Sequence, residues 1–105
     1  MAKHRLYWTR TSGGFPAAAV LTLAGVPWDS VEVDLEAGEN RRPGYLALNP
    51  TAQVPTLLLP DGTVMTESAA MAWHLADTLP QAGLLPPRAE EGARALLLRW
   101  MVFGA

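Results

Sequence analysis

The segment around Val54-Pro55 combines a polar turn with an abrupt change to apolar residues. Residues 49–53 form the turn, and an apolar strand is predicted over 55–59. Because proline has no N–H to donate to a sheet, Pro55 belongs at the first residue or at the edge of that strand. A cis bond before Pro55 would turn the main-chain N–H and C=O of Val54 away from the sheet. Those two groups could then pair with an extended, peptide-like ligand.

Glu67 and Ser68 form a second polar group at the predicted start of a helix over 68–79, which Pro80 ends. The N-terminus of a helix attracts anions, so this group could bind a carboxylate. The same residues are common for structural reasons, with Thr66 or Ser68 as the N-cap and Glu67 as the acid of the first turn. The sequence leaves ligand binding and helix capping open.

Thr11 and Ser12 supply two hydroxyls in a glycine-containing turn before a predicted helix over 15–24. A hydroxyl at a helix N-terminus can favour a thiolate over a thiol, assisted by the positive end of the helix. Turn formation and helix capping are the structural alternatives. The chain contains no cysteine, so any thiol must be brought by a ligand.

Seven predicted elements must position these groups, in the order β-α-β-α-β-β-α. Residues 28–35 alternate apolar and polar side chains, as a half-buried strand does. A strand–helix–strand unit crosses over right-handed, which makes its two strands parallel. Asp61-Gly62 predicts a hairpin that makes the next two strands antiparallel. The predicted elements are strand 6–9, helix 15–24, strand 28–35, helical turn 45–48, strands 55–59 and 63–65, and helix 68–79.

The ordered set of Gln53-Val54-Pro55, a hairpin, and Glu67-Ser68 at a helix start resembles the glutathione-binding half of glutathione transferases. The resemblance covers roughly residues 4–80. It implies an α/β, thioredoxin-like fold with a four-stranded mixed sheet, followed here by one C-terminal amphipathic helix. It also implies glutathione as co-substrate, with no metal.

For glutathione binding, the resemblance implies that Val54 holds the cysteinyl backbone, with Pro55 in the cis form. Residues 67–68 would hold the γ-glutamyl end. Gln53 and Arg42 stand where family members often contact the glycine carboxylate. For Arg42, a solvated loop charge is the alternative.

For thiol activation, a count without gaps from Gly25-Val26-Pro27 places Thr11 where hydroxyl-type members of the family keep a serine or threonine. Ser12 is one residue later, and both stay candidates. Gly13 occupies the place of the cysteine in cysteine-type members, which excludes mixed-disulfide chemistry by that residue. The implied reaction is attack of the bound thiolate on a small electrophile.

The length of 105 residues predicts one domain with a fragment of another. We expect a glutathione-binding domain over 1–80, a linker over 81–88, and the first helix of a truncated helical domain over 89–105. That helical domain builds most of the family's electrophile pocket, so activity of these residues alone is left open. The alternative is a non-catalytic glutathione-binding or oligomerisation module.

The predicted helix over 89–103 carries a wide apolar stripe that includes Leu96, Leu97, Trp100 and Met101. An uncovered stripe of this kind marks an interface, so we expect a homodimer or a higher oligomer.

Composition excludes several other classes of protein. The net charge is −2 and the basic residues are dispersed, which argues against a nucleic-acid partner. No apolar run approaches the ~20 residues of a membrane span, and the first residues lack the layout of a signal peptide. We therefore expect a cytoplasmic protein without a membrane partner.

Overall fold

The computed structural model describes residues 2–10 and 13–104, so Thr11 and Ser12 lie outside the described residues, as do the two terminal residues. The elements are β1 (His4–Trp8), α1 (Phe15–Ala24), β2 (Trp28–Glu32), α2 (Pro43–Leu48), β3 (Thr56–Leu58), β4 (Val64–Met65), α3 (Ser68–Thr78) and α4 (Glu91–Phe103), with short 3₁₀ turns at Glu39–Arg41 and Pro80–Ala82.

The four strands form one sheet in the order β2-β1-β3-β4. β1 runs parallel to β2 and antiparallel to β3, and β3 pairs antiparallel with β4. In this register Leu6 lies opposite Leu57, and Tyr7 lies opposite Thr56. The predicted mixed, four-stranded α/β arrangement is confirmed.

The apolar core lies between the sheet and the helices α1 and α3. Its centre consists of side chains with no exposed surface, from all of these elements: Leu6, Leu21, Leu57, Met71 and Leu75. Successive strand residues point to opposite faces of a sheet, so Tyr7 points away from Leu6. On that other face the Tyr7 ring meets Tyr45 of α2 edge-on, with ring centroids 6.1 Å apart.

The bounds of α1 are as predicted, whereas β2 ends at Glu32, three residues before the predicted end at residue 35. The strand ends because its partner does: Trp8 pairs with Glu32, and the N–H of Val33 makes the last bond to the C=O of Trp8, 2.9 Å away. Asp34 then starts a turn, in which its carboxylate accepts the N–H of Ala37 at 3.1 Å.

Helix α4 packs beside α3 and contains no buried residue. Its main attachment is Arg94, which donates to the C=O of Pro86 at 2.8 Å and to the carboxylate of Asp77 at 3.2 Å. The Arg94 guanidinium also lies 5.2 Å from the centre of the Trp73 ring. Of the predicted stripe, Leu97 and Met101 are partly buried, while Leu96 and Trp100 are exposed.

Within residues 2–10 and 13–104, the helices are all too short or too polar to cross a membrane.

Candidate functional site

Two separate segments of the chain meet in a small polar cleft of about 80 Å³. The first segment connects α2 to β3, and the second connects β4 to α3. The cleft is lined by Asn49, Gln53, Val54, Pro55, Thr66, Glu67 and Ser68. Five of the predicted site residues therefore lie together: Gln53, Val54, Pro55, Glu67 and Ser68.

Val54 presents its main chain to this cleft. The Val54–Pro55 peptide bond is cis, and β3 starts only at Thr56, so Val54 does not belong to the sheet. Among residues 2–10 and 13–104, neither the N–H nor the C=O of Val54 has a hydrogen-bond partner. The main chain therefore offers one donor and one acceptor side by side, as the edge of a strand does.

Glu67 occupies the N-cap position of α3 and adopts φ 70° and ψ 110°, in the region that favours glycine. Its side chain makes no capping bond, and the first turn contains no acidic residue. The structural alternative, with Thr66 or Ser68 as the N-cap, is thus not the arrangement that forms. In the part of the chain that is described, the Glu67 carboxylate and the Ser68 hydroxyl have no hydrogen-bond partners.

A helix leaves the N–H groups of its first turn without internal partners. In α3 these groups lie at the helix start, next to Ser68. With the positive end of the helix dipole, they favour a bound anion. The Glu67 carboxylate beside them favours a cation. The cleft therefore suits a ligand that carries both an amine and a carboxylate.

A buried polar network lies beneath the cleft, and sequence reasoning missed it. Tyr45, Asn49 and Thr56 are 7%, 2% and 0% exposed. The Tyr45 hydroxyl donates to the C=O of Gln53 and lies 2.7 Å from Thr56 Oγ1. Asn49 Nδ2 donates to the same carbonyl at 3.0 Å and to Thr56 Oγ1 at 3.2 Å. The spacing of Tyr45 and Asn49, four residues apart at the end of a helix, was the available signal.

Burial raises the pKa of Tyr45, against the opposing effect of the hydrogen bond from Thr56. The hydroxyl therefore keeps its proton at neutral pH and stays a donor.

Arg42 is not brought to the cleft. It does not line the cavity, and its guanidinium lies 3.5 Å from the carboxylate of Glu39, largely exposed. Thr11 and Ser12, the candidates for thiol activation, lie outside the described residues. Their neighbour Gly13 approaches the cleft closely, since a Cβ at this position would lie 2.6 Å from Ser68 Oγ.

An apolar cavity of about 330 Å³ adjoins the polar cleft through Ser68, which lines both. The starts of α1 and α3 and the end of α4 form its walls. The lining residues are Gly13, Pro16, Ser68, Ala69, Ala72, Trp100, Met101 and Gly104.

A metal centre has no basis in the described part of the chain, where no three histidine, aspartate or glutamate side chains cluster.

The sheet order, the helices α1 and α3 on one face, and the cleft at the cis-proline define a thioredoxin-like α/β domain. Residues 16–78 match the family model described as glutathione S-transferase, N-terminal domain. The chain belongs to this family.

Two solved structures and one curated relative illustrate the likeness. The chain is 38% identical over 96 residues to maleylacetoacetate isomerase of Rhizobium meliloti. This alignment covers 91% of the chain and 44% of the relative. A possible glutathione S-transferase from Rhodopseudomonas palustris is 38% identical with a TM-score of 0.79, over 95% of this chain and 47% of that one. A glutathione transferase homologue from Sulfitobacter, solved with bound glutathione, is 37% identical with a TM-score of 0.77, over 82% of this chain and 41% of that one. The chain thus spans less than half the length of each of these three proteins.

Proposed function

We propose that this chain binds glutathione in the polar cleft and activates its thiol for attack on a small electrophile. The observation that carries the proposal is the meeting of an unpaired main-chain donor and acceptor at Val54 with the start of α3 at Glu67-Ser68. The homologue from Sulfitobacter, whose structure contains glutathione, supports the choice of ligand.

Glutathione has the functional groups that this cleft can pair. Its extended cysteinyl part matches the N–H and C=O of Val54, in the manner of an added strand. Its γ-glutamyl end carries a carboxylate for the N–H groups at the start of α3 and an amine for Glu67. The amide of Gln53 would reach the glycine carboxylate. Arg42 would have to leave Glu39 to help there, so its part stays a prediction.

Thr11 or Ser12 would activate the thiol. A hydroxyl that donates a hydrogen bond to sulfur stabilises the thiolate and so lowers the pKa of the thiol. The thiol proton passes to solvent, the sulfur forms a bond to an electrophilic carbon, and a leaving group such as a halide departs with its bonding electrons.

The electrophile would occupy the apolar cavity that shares Ser68 with the cleft. An apolar compound bound in this cavity would lie beside the ligand, where it could react. An isomerisation such as the one that names the relative from Rhizobium meliloti would need no leaving group: the thiolate would add to a carbon–carbon double bond and be expelled again after rotation about the resulting single bond.

A second candidate function is a glutathione-binding or oligomerisation module without catalysis. It is favoured by α4, where Leu96, Trp100 and Phe103 are 55%, 53% and 77% exposed. These residues are spaced by four and three positions and so share one helix face, which we call the α4 stripe. Both candidates include self-association through the α4 stripe, as a homodimer or higher oligomer, in the cytoplasm.

Calorimetric titration with glutathione, followed by an assay of conjugation to an aryl halide, tests the proposal. Glu67→Gln should weaken binding by about tenfold through loss of the charge beside the amine. The matched control is Glu36→Gln, an exposed acid outside the polar cleft, which should leave binding unchanged. Binding with turnover supports the enzyme, and binding without turnover supports the module. Absence of binding would contradict the enzyme and the glutathione-binding module, and would leave only an oligomerisation module.

A further inference from the structure

The network of Tyr45, Asn49 and Thr56 touches the cleft at one point, the carbonyl of Gln53. This carbonyl accepts two hydrogen bonds, from the Tyr45 hydroxyl and from Asn49 Nδ2. Both of its lone pairs are used, so its direction is determined by buried side chains.

The Gln53 carbonyl and the Val54 N–H belong to the same peptide unit. This unit is trans, since the only cis bond of the described residues is the one before Pro55. In a planar trans peptide the C=O and the N–H point in opposite directions. Holding the carbonyl towards Tyr45 in the interior therefore turns the Val54 N–H away from the interior. There it is free of protein partners among residues 2–10 and 13–104.

Hydrogen bonds close this network into a ring with one assignment of donors and acceptors, in which both arms run from Asn49 to the Gln53 carbonyl. The single proton of Tyr45 goes to Gln53, so the contact of 2.7 Å with Thr56 requires the threonine hydroxyl to donate. The two N–H groups of Asn49 go to Thr56 and to the Gln53 carbonyl.

The orientation of the Asn49 amide follows from its other end. Its Oδ1 accepts the main-chain N–H of Thr51 at 3.1 Å and the Thr51 hydroxyl at 2.7 Å. A main-chain N–H can only donate, so oxygen must stand on that side and nitrogen on the side of Gln53. The whole ring therefore has no equivalent arrangement in which the Gln53 carbonyl is released.

We infer that Tyr45 is a positioning residue for the ligand: through the Gln53 carbonyl, it aims the Val54 N–H at the acceptor on the cysteinyl part of glutathione. The inference rests on the proposed function and assigns within it a role to a side chain that touches no ligand. Asn49 and Thr56 hold Tyr45 and the carbonyl in place. Because a preorganised donor loses less freedom when the ligand binds, the network raises affinity without adding a contact.

Tyr45→Phe tests this role most simply, since it keeps the ring and its contact with Tyr7. The variant should bind glutathione about tenfold more weakly, a ratio that corresponds to about 1.4 kcal/mol. Thr56→Ser, which keeps the donating hydroxyl, should bind as the unchanged protein does. Thr56→Val should also bind glutathione more weakly, by a smaller factor than Tyr45→Phe. It replaces Tyr45→Phe as the test if that variant does not fold. All affinities are measured by calorimetry at a temperature where circular dichroism shows each variant to be folded.

A second ligand separates positioning from a general loss of structure. In this analogue of glutathione the cysteinyl carbonyl is reduced to a methylene group, so it has no acceptor for the Val54 N–H. Tyr45→Phe should weaken the binding of glutathione but not the binding of the analogue, because the variant and the analogue each remove the same interaction. If Tyr45→Phe weakened the binding of both ligands equally, Tyr45 would have a merely structural role and the inference would be overturned.

The remaining outcomes separate the inference from the proposed function. If the unchanged protein binds glutathione and Tyr45→Phe binds it equally well, the positioning role is wrong and the proposed function stands. If the unchanged protein does not bind glutathione, the proposed function fails and the positioning role fails with it.

Discussion

Among residues 2–10 and 13–104, two residues other than glycine have a positive φ, and each lies in or beside one of the two segments that form the cleft. Ala52 has φ 62° and Glu67 has φ 70°. Such conformations cost of order 1–3 kcal/mol each and persist where the surrounding structure imposes them. Here Asn40 Nδ2 donates to the Ala52 C=O at 2.8 Å, while the Ala52 N–H donates to the C=O of Asn49 at 3.0 Å. The local cost is thus tied to the shape of the segment that carries Val54.

Replacing Ala52 with glycine should stabilise the fold, because glycine adopts a positive φ without the clash of a Cβ. The gain is reduced by the greater freedom of glycine in the unfolded chain, so we expect an increase of up to about 1 kcal/mol in the free energy of unfolding. Urea denaturation measures it. Ala47→Gly, at an exposed position inside α2, is the matched control and should lower stability by about 0.5–1 kcal/mol. A loss of stability in Ala52→Gly would show that strain at this position is not relieved by glycine.

At the scale of elements, the start of α1 lies very close to β1 and to the cleft. A Cβ on Gly14, the N-cap of α1, would lie 2.7 Å from Trp8 Cβ and 3.3 Å from Pro55 Cβ. Gly14 therefore lets the helix approach the strand and the proline together.

Gly14→Ala should lower the free energy of unfolding by about 1–3 kcal/mol, because the added methyl group must displace α1 or β1. It should also weaken glutathione binding, since the displacement moves the helix start relative to Pro55. Thermal unfolding and calorimetry measure the two effects. Gly92→Ala, inside α4, has nothing within 4 Å of the added Cβ and should be neutral or stabilising. If Gly14→Ala were as stable as the unchanged protein, the close approach would not constrain the helix.

The sequence predicted elements where the signal is local and failed where a second element decides. The bounds of α1 follow from Pro16 in its first turn and Gly25 at its end, and the structure confirms them. The end of β2 could not be predicted, because it depends on where β1 stops pairing. Tyr45 lies on α2 and Thr56 on β3, so no spacing rule reveals the contact between these two residues. The five predicted cleft residues were found through an ordered pattern whose parts are individually weak.

At the scale of the whole molecule, α4 is the least integrated element. It is attached through Arg94 and Asp77 and through partly buried Leu97 and Met101, while the α4 stripe faces outward. Trp100 and Phe103 contact each other edge-on, with ring centroids 5.5 Å apart. An apolar surface of this kind is stabilised when another surface covers it.

Self-association should therefore depend on the α4 stripe. We expect the protein to be at least a dimer by light scattering at micromolar concentration, and the double variant Leu96→Glu, Phe103→Glu to be a monomer. The exposed Val102, on the same helix but about 100° or more around its axis from each residue of the stripe, provides the control Val102→Glu, which should not change the mass. A monomeric unchanged protein would contradict the proposed interface.

The response of main-chain amides to glutathione, followed by ¹⁵N–¹H NMR of the labelled protein, tests directly where the ligand binds. We expect glutathione to pair with the unpaired main chain of Val54 and with the start of α3. The Val54 and Ser68 amide resonances should shift with a common, saturable dependence on glutathione concentration. Those of Lys3 and Gly62, in a separate surface groove that Asp29 also lines, should stay in place. A saturating titration that leaves the Val54 amide unmoved would contradict the account.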